Sequence, residues 1–338
     1  MTSFKRTAKN TRASGTQNRF PSLEPGNIKD VMAGMNPEVL FLGDLNVDLI
    51  FSGLESAMQA DREAFCSSYS MVPGGSTAIA AAHFARLGGK ARLCSLTGVD
   101  DFGMFVKKAL GNAGVDTSMV QSTPAKGTGV TLNIVEGNAR SQLTFPGALS
   151  LLTADPSLLE KHDFCHLHLS GMYGMRSLLP QIGTLLRAAR AMRISTSLDT
   201  QWDPLERWLY LDEWLPLLDY LFVNEAEAAS ISGHEDHTKA WLTLSTKTAC
   251  PIIKLGSKGA YATGVHFPAR PVKVVDTTGA GDAFAAGFLA GRLLRNLDTG
   301  AAIKAAIESG AWACTHRGGF PDPDDPGTMQ DFSSIYGT

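Results

Sequence analysis

The sequence predicts an α/β protein, a three-layer α/β/α arrangement around a mostly parallel sheet with a small extra β-sheet attached. Three observations carry that expectation. Short apolar runs alternate with helical patterns along most of the chain, and repeated βα units imply parallel strands covered on both faces. Two stretches, near 46–72 and 127–147, break the alternation with β-like composition and read as excursions forming a small lid. The 338 residues are enough for one large domain with a sizeable core.

The first 36 residues stand apart from the rest. They carry Lys5, Arg6, Lys9, Arg12 and Arg19, with no acid before Glu24 and no hydrophobic run. That composition excludes a secretory signal and suits a disordered leader, though it is also compatible with an organelle transit segment. The domain starts near Pro37 with "EVLFLGDLNVDLIF", where a buried-strand pattern, Val39 to Leu42, ends at Gly43 in an acid-and-amide stretch. In "PGGSTAIAAAHFARLGG", Ser76 or Thr77 is positioned to cap a helix running to about Leu87, and Gly88 and Gly89 end it. A strand around Arg92 to Thr97 leads to Asp100 and Asp101 as caps of a helix closed by Gly114. "GTGVTLNIVEGNARSQLTFPGA" reads as two strands turned at Glu136-Gly137-Asn138. Beyond Leu152 the strands are "FCHLHLS", "ISTSLD", "YLFVN" and "PIIKLG", with helical patterns near 177–192, 225–232 and 282–295.

Bulk properties narrow the function. With 44% hydrophobic residues, 19% charged residues and a net charge of −3, nothing favours nucleic acid or an anionic membrane as partner. No apolar run reaches the roughly 18 residues of a membrane span. The five cysteines are scattered and lack a CxxC pair, which fits a reduced, cytoplasmic chain.

The chemistry concentrates in "DTTGAGDAFAAGF", Asp276 to Phe288. Asp282 has an architectural reading, in which an acid complements the helix dipole. It also has a chemical one. The small, polar run from Asp276 to Gly281 leaves backbone N–H groups free to converge on an anion at a helix start. A carboxylate among those donors is placed to take a proton from a hydroxyl, an arrangement suited to phosphoryl transfer to an alcohol. Competing motifs are absent. There is no G-x-x-x-x-G-K-[ST], and Gly279-Ala-Gly281 has Phe284 where a dinucleotide fingerprint needs its third glycine.

These residues, together with "PGGSTAIAAAHFARLGG", Asn224-Glu-Ala-Glu227, "KLGSKGA" (Lys254 to Ala260) and "GDLNVDLIF", resemble the ribokinase-like, or PfkB-type, carbohydrate and nucleoside kinases. The resemblance covers about residues 37 to 325, and the domain is expected over 37–330. It implies Asp282 as general base and the backbone of Gly279, Ala280 and Gly281 as an anion hole. Asn224 and Glu227 would organise Mg²⁺ and its waters, while Gly256, Ser257 and Gly259 would lie against ATP. Asp48, helped by Asn46, Gly74, Gly75 and Ser76, would bind the acceptor's hydroxyls. A monovalent cation such as K⁺ would use Asp276, Thr278 and carbonyls near Ala313, His316 and Gly318. Lid-to-lid dimers of similar kinases make a homodimer the expected assembly.

Three positions depart from the family pattern. Ile79 and Leu149 stand where relatives often carry asparagine, which points to an acceptor less polar, or differently oriented, than a simple ribose or fructose. Lys254 replaces a frequent threonine and is placed either to approach the ATP phosphates or to end a strand in solvent. His166 and His168 share one strand face at the spacing of two metal ligands, yet no third ligand is recognisable. Asp199 ends a strand where α/β enzymes place site residues. Tyr173 and Trp202 are either core residues or stacking platforms. The function expected is ATP-dependent phosphorylation of a sugar, polyol or nucleoside hydroxyl. The alternative is a noncatalytic nucleotide- or sugar-binding regulator on the same fold.

Overall fold

The computed structural model describes residues 37–136 and 139–320. Residues 1–36, 137–138 and those beyond 320 lie outside the described residues, and with them the basic leader and the turn expected at Glu136-Gly137-Asn138. Strands β1 (Glu38–Gly43), β4 (Lys90–Gly98), β5 (Asp116–Thr123), β8 (Phe164–Ser170), β9 (Ser195–Asp199), β10 (Tyr220–Asn224) and β11 (Pro251–Lys254) are parallel. With the antiparallel β12 (Ala260–Ala262) and β13 (Val265–Phe267) they form a nine-stranded sheet in the order β13-β12-β11-β10-β9-β8-β1-β4-β5.

Strand alternation sends successive residues of each central strand to opposite faces. Val39, Phe41, Leu93, Phe222 and Ile252 join one core with α1 (Ser76–Arg86), α2 (Asp101–Asn112), α7 (Ala280–Leu293) and α8 (Thr299–Ala313). Leu40, Leu42, Leu167, Leu198, Val223 and Ile253 join the other. That second core is covered by α3 (Ile182–Ala191), α4 (Leu211–Trp214), α5 (Glu225–Ser232) and α6 (His237–Ser245). The result is three layers.

The small sheet has the order β3-β2-β6-β7, built from β2 (Asn46–Leu54), β3 (Cys66–Gly74), β6 (Gly129–Glu136) and β7 (Ala139–Phe145). β2 pairs in parallel with β6, so two remote excursions combine into one sheet. Its two faces differ chemically. Asn46, Asp48, Thr131 and Asn133 are buried on one, whereas Leu49, Phe51, Tyr69, Met71, Leu143 and Phe145 share the other.

The cap expected from Ser76 or Thr77 is supplied instead by Asp44. Its carboxylate accepts from Ser76 N (3.0 Å), Thr77 N (2.8 Å) and Thr77 Oγ1 (2.8 Å), satisfying helix-start donors from the loop after β1. Asp100 caps α2 by accepting from Gly103 N at 2.8 Å. Among the described residues no helix is long and apolar enough to cross a membrane.

Candidate functional site

Strand order reverses beside β1, with β4 and β5 on one side and β8 to β11 on the other. Ligands of open α/β sheets bind at such a switch point, beyond the carboxyl ends of the strands. Five strands end there in polar residues or glycine: β1 at Gly43-Asp44, β8 at Ser170, β9 at Asp199, β10 at Asn224 and β11 at Lys254.

α7 points its N-terminus at the same place. Its N-cap, Gly279, has φ +74°, and a Cβ there would lie 2.5 Å from Gly319 Cα, so only glycine fits. Asp282 follows in the first turn and is 6% exposed. Gln201 Nε2 donates to its Oδ1 at 3.1 Å, and the Ser76 hydroxyl also donates to it. Burial pushes its carboxyl well above the usual range, and the charges of Asp199 and Asp44 push the same way. Lys254 and the Ser76 hydroxyl oppose them.

Lys254 is not a solvated strand end. Its side chain is 14% exposed and its Nζ lies 2.5 Å from Asp199 Oδ2. The position a Cβ of Gly281 would occupy is 3.2 Å from that Nζ, which places the ammonium directly beside the α7 start. Burial works to lower its pKa, but the carboxylates of Asp199, Glu227 and Asp282 outweigh burial and hold it up.

Asn224 and Glu227 form a reciprocal capping box on α5. Glu227 N donates to Asn224 Oδ1 at 2.8 Å, and Asn224 N donates to Glu227 Oε2 at 2.9 Å. Glu227 is nonetheless 3% exposed, takes a further hydrogen bond from Thr200 Oγ1 at 3.1 Å, and lines the cavity. Burial raises its pKa and Asp199 adds to that, against Lys254. A helix cap alone has no need of such burial.

A cavity of about 850 Å³ joins these groups. Gln201, Glu227, Lys254, Gly281 and Asp282 border it, with Gly256, Ser257 and Gly259 along its wall and Ile307, Gly310 and Ala311 on the α8 side. Asp276 ties the neighbouring loop together. Its Oδ1 accepts from Thr278 N (2.9 Å) and Thr278 Oγ1 (2.8 Å), and its Oδ2 accepts from Gly318 N at 2.9 Å. Ala313 and His316 lie on the same C-terminal segment, where the Thr315 and His316 side chains both meet the Trp312 carbonyl oxygen. On the small sheet, Asn46 Nδ2 donates to Asp48 Oδ1 at 2.9 Å and to Thr131 Oγ1 at 3.0 Å. Gly74 lies so near that an added Cβ would sit 2.4 Å from Asp48 Oδ1.

Other candidates go elsewhere. His166 is enclosed by Ser195 and Ser197 hydroxyls, each at 2.7 Å, and His168 Nδ1 meets Ser197 Oγ at 2.7 Å. Burial holds His168 down to about 3, and His166 well below the usual range, so both are neutral core residues. No cluster of three metal-ligating side chains occurs among the described residues. Tyr173 packs against Trp208 and Trp214, while Trp202, 43% exposed, meets Trp208 edge-on. Ile79 and Leu149 are buried, Ile79 against Gly319 and Leu149 against Gly129. Sequence reasoning missed Asp44 and Gln201. The signal for Asp44 was an acid directly after a buried strand, ahead of a helix with no acid in its own first turn. Gln201 gave none, because its reach depends on a backbone φ of +50°.

Comparison with known proteins gives the family of the chain. The pfkB family carbohydrate kinase profile matches residues 36–325. The chain is 30% identical over 304 residues to a fructokinase of Klebsiella pneumoniae, covering 84% of this chain and 95% of the relative. It is 28% identical over 331 residues to an aminoimidazole riboside kinase of Salmonella typhimurium, covering 90% and 98%. A solved E. coli protein assigned as a ribokinase II, holding ATP and Mg²⁺, superposes with a TM-score of 0.75 at 25% identity, covering 88% of this chain and 98% of that one. Arabidopsis thaliana ribokinase, solved with ribose and ATP, gives a TM-score of 0.74 at 21% identity, covering 90% and 100%. The chain belongs to the pfkB family of carbohydrate kinases and is an ATP-dependent phosphotransferase of the sugar-kinase type, with an alcohol group as acceptor.

Proposed function

We propose that the chain phosphorylates a hydroxyl of a small sugar, polyol or nucleoside by direct in-line transfer from ATP, with Asp282 as general base. The observation that carries this reading is a buried carboxylate, its pKa raised, in the first turn of α7 at the edge of a cavity of about 850 Å³. A carboxylate held above its usual range is a stronger base, able to take the acceptor's proton as the new P–O bond forms. The N–H groups of Gly279, Ala280 and Gly281 receive the charge on the transferring phosphoryl group, and the Lys254 ammonium beside Gly281 adds to their field. Positioning and charge stabilisation do most of the work, with no covalent enzyme intermediate.

Three buried carboxylates, Asp199, Glu227 and Asp282, act on the ammonium of Lys254; they form no three-ligand cluster, and their negative charge fits a divalent cation held through water. Asn224 and Glu227 would hold Mg²⁺ through its waters, and the bound ion would neutralise and align the ATP phosphates. Gly256, Ser257 and Gly259, which line the cavity, would lie against the nucleotide. Asp48, Asn46, Gly74, Gly75 and Ser76 hold the acceptor's hydroxyls, since a carboxylate accepts from two neighbouring OH groups. Asp276, Thr278 and the carbonyls of Ala313, His316 and Gly318 would bind K⁺, which would steady the loop ahead of α7. Closure of the small sheet over the acceptor excludes water and suppresses ATP hydrolysis. We also propose a homodimer formed through the apolar face of that sheet.

The test is ADP release from Mg-ATP over pentoses, hexoses, polyols, sugar acids and nucleosides, with and without K⁺, for the wild type and Asp282→Asn. Acceptor-dependent turnover that falls at least about 10²-fold in the variant is expected. An equally active variant removes Asp282 as the base. ATP binding without turnover on any acceptor favours the regulator instead.

A further inference from the structure

Gln201 belongs to no motif, yet it connects the two acids at the centre of the site. It follows β9 by two residues and adopts φ +50°, a conformation that a non-glycine residue rarely takes. That backbone turns the side chain into the cavity, where its single amide nitrogen donates to Asp199 Oδ1 at 3.3 Å and to Asp282 Oδ1 at 3.1 Å. Asp199 Oδ2 is engaged at the same time by Lys254 Nζ at 2.5 Å.

We infer that Gln201 is a positioning residue for the general base, holding Asp282 ionised and oriented by donating from one neutral amide to both carboxylates. The inference rests on the reading of Asp282 as the base. A neutral donor suits this place better than a cation. An arginine or lysine here would add a second full positive charge beside Lys254 and weaken Asp282 as a proton acceptor. An apolar residue would leave two buried carboxylates facing each other with no donor between them. An asparagine would be one methylene short.

The groups facing Asp282 come from four elements. Asp199 and Lys254 come from the ends of β9 and β11, Asp44 from the loop after β1, and Ser76 from the start of α1. Of these, Lys254 and Ser76 favour the ionised form and the two acids oppose it. Gln201 adds a donor to the weaker side. Its removal therefore raises the pH at which Asp282 ionises, and its conversion to a carboxylate raises that pH further.

The test needs no acceptor and so stands apart from the turnover assay. Full-length protein labelled with ¹³C at the aspartate carboxyl carbons is titrated by NMR, and the Asp282 resonance is assigned by its loss in Asp282→Asn. Gln201→Ala is expected to move the Asp282 midpoint upward by about one pH unit, Gln201→Glu by more and Gln201→Asn by less. Melting temperatures recorded alongside separate this from a loss of fold. A midpoint in Gln201→Ala within about 0.3 units of the wild type, well inside the shift expected from losing one donor, overturns the inference. So does an equal shift in all three variants. If Asp282→Asn keeps full turnover while the midpoints move as expected, the positional link stands and the base assignment is what fails.

Discussion

At the scale of single residues, the site keeps charge where water cannot screen it. Asp282 carries a carboxyl whose folded pKa lies well above its unfolded value, chiefly through burial. For such a group the stabilising contribution is fully present below the unfolded pKa, near about 4. It is lost as pH rises through the folded value. Above that folded value the ionised side chain destabilises the surrounding fold, the exchange of stability for activity that the proposed role as base implies. Asp282→Asn keeps the shape and removes the charge. Its melting temperature at about pH 7.5 is expected to exceed that of the wild type by about 1–2 °C, the equivalent of roughly 1 kcal/mol for a chain of this length. The gain should shrink as pH is lowered and the wild-type carboxyl takes up its proton. A lower melting temperature at about pH 7.5 would show that Asp282 is a structural acid.

At the scale of elements, helix starts carry the candidate groups, and they were legible to different degrees. The α5 start was readable because Asn-x-x-Glu is a local pattern whose capping box closes within four residues. The start of α1 was misread because its cap comes from Asp44, more than thirty residues earlier, and local hydroxyls were the only candidates in view. The α8 start was overlooked although Asp298 caps it by accepting from Ala301 N at 2.8 Å; its alanine-rich sequence lacks a clear apolar stripe. β12 and β13 have three residues each, too few for any period to show. Asp44 now carries two separable effects. Asp44→Ala removes three hydrogen bonds from the start of α1 and is expected to cost about 1–2 kcal/mol, read as an earlier urea midpoint. It also removes a negative charge that holds Asp282 up, so the acid limb of the turnover profile should move to lower pH. An unchanged urea midpoint would refute the capping role, and an acid limb moving upward would refute the electrostatic one.

At the scale of the whole molecule, the layers were legible because βα alternation fixes them, but the partnering of the small sheet was not. β2 and β6 lie in separate excursions and pair in parallel, a non-local choice that local patterning leaves open. Pairing gives the sheet its two faces by register alone. Asp48 and Thr131 fall on one side, while Tyr69, Met71, Leu143 and Phe145 fall on the other, exposed by 56%, 37%, 71% and 57%. Apolar surface of this kind is uncommon on monomers and supports the proposed dimer. In the proposed dimer one patch meets itself, which closes a two-fold assembly with no further surface left to pair. Sedimentation equilibrium is therefore expected to give twice the mass of 36.0 kDa at micromolar concentration. Tyr69→Glu with Leu143→Glu should return the mass to that of one chain, since it would bury four unpaired carboxylates across the interface. The two side chains lie on the face opposite Asp48, so the monomer should still bind ATP, and any loss should appear in the acceptor's KM as the unsupported sheet closes less readily. A wild-type protein that sediments as one chain at all concentrations would leave that face without its partner.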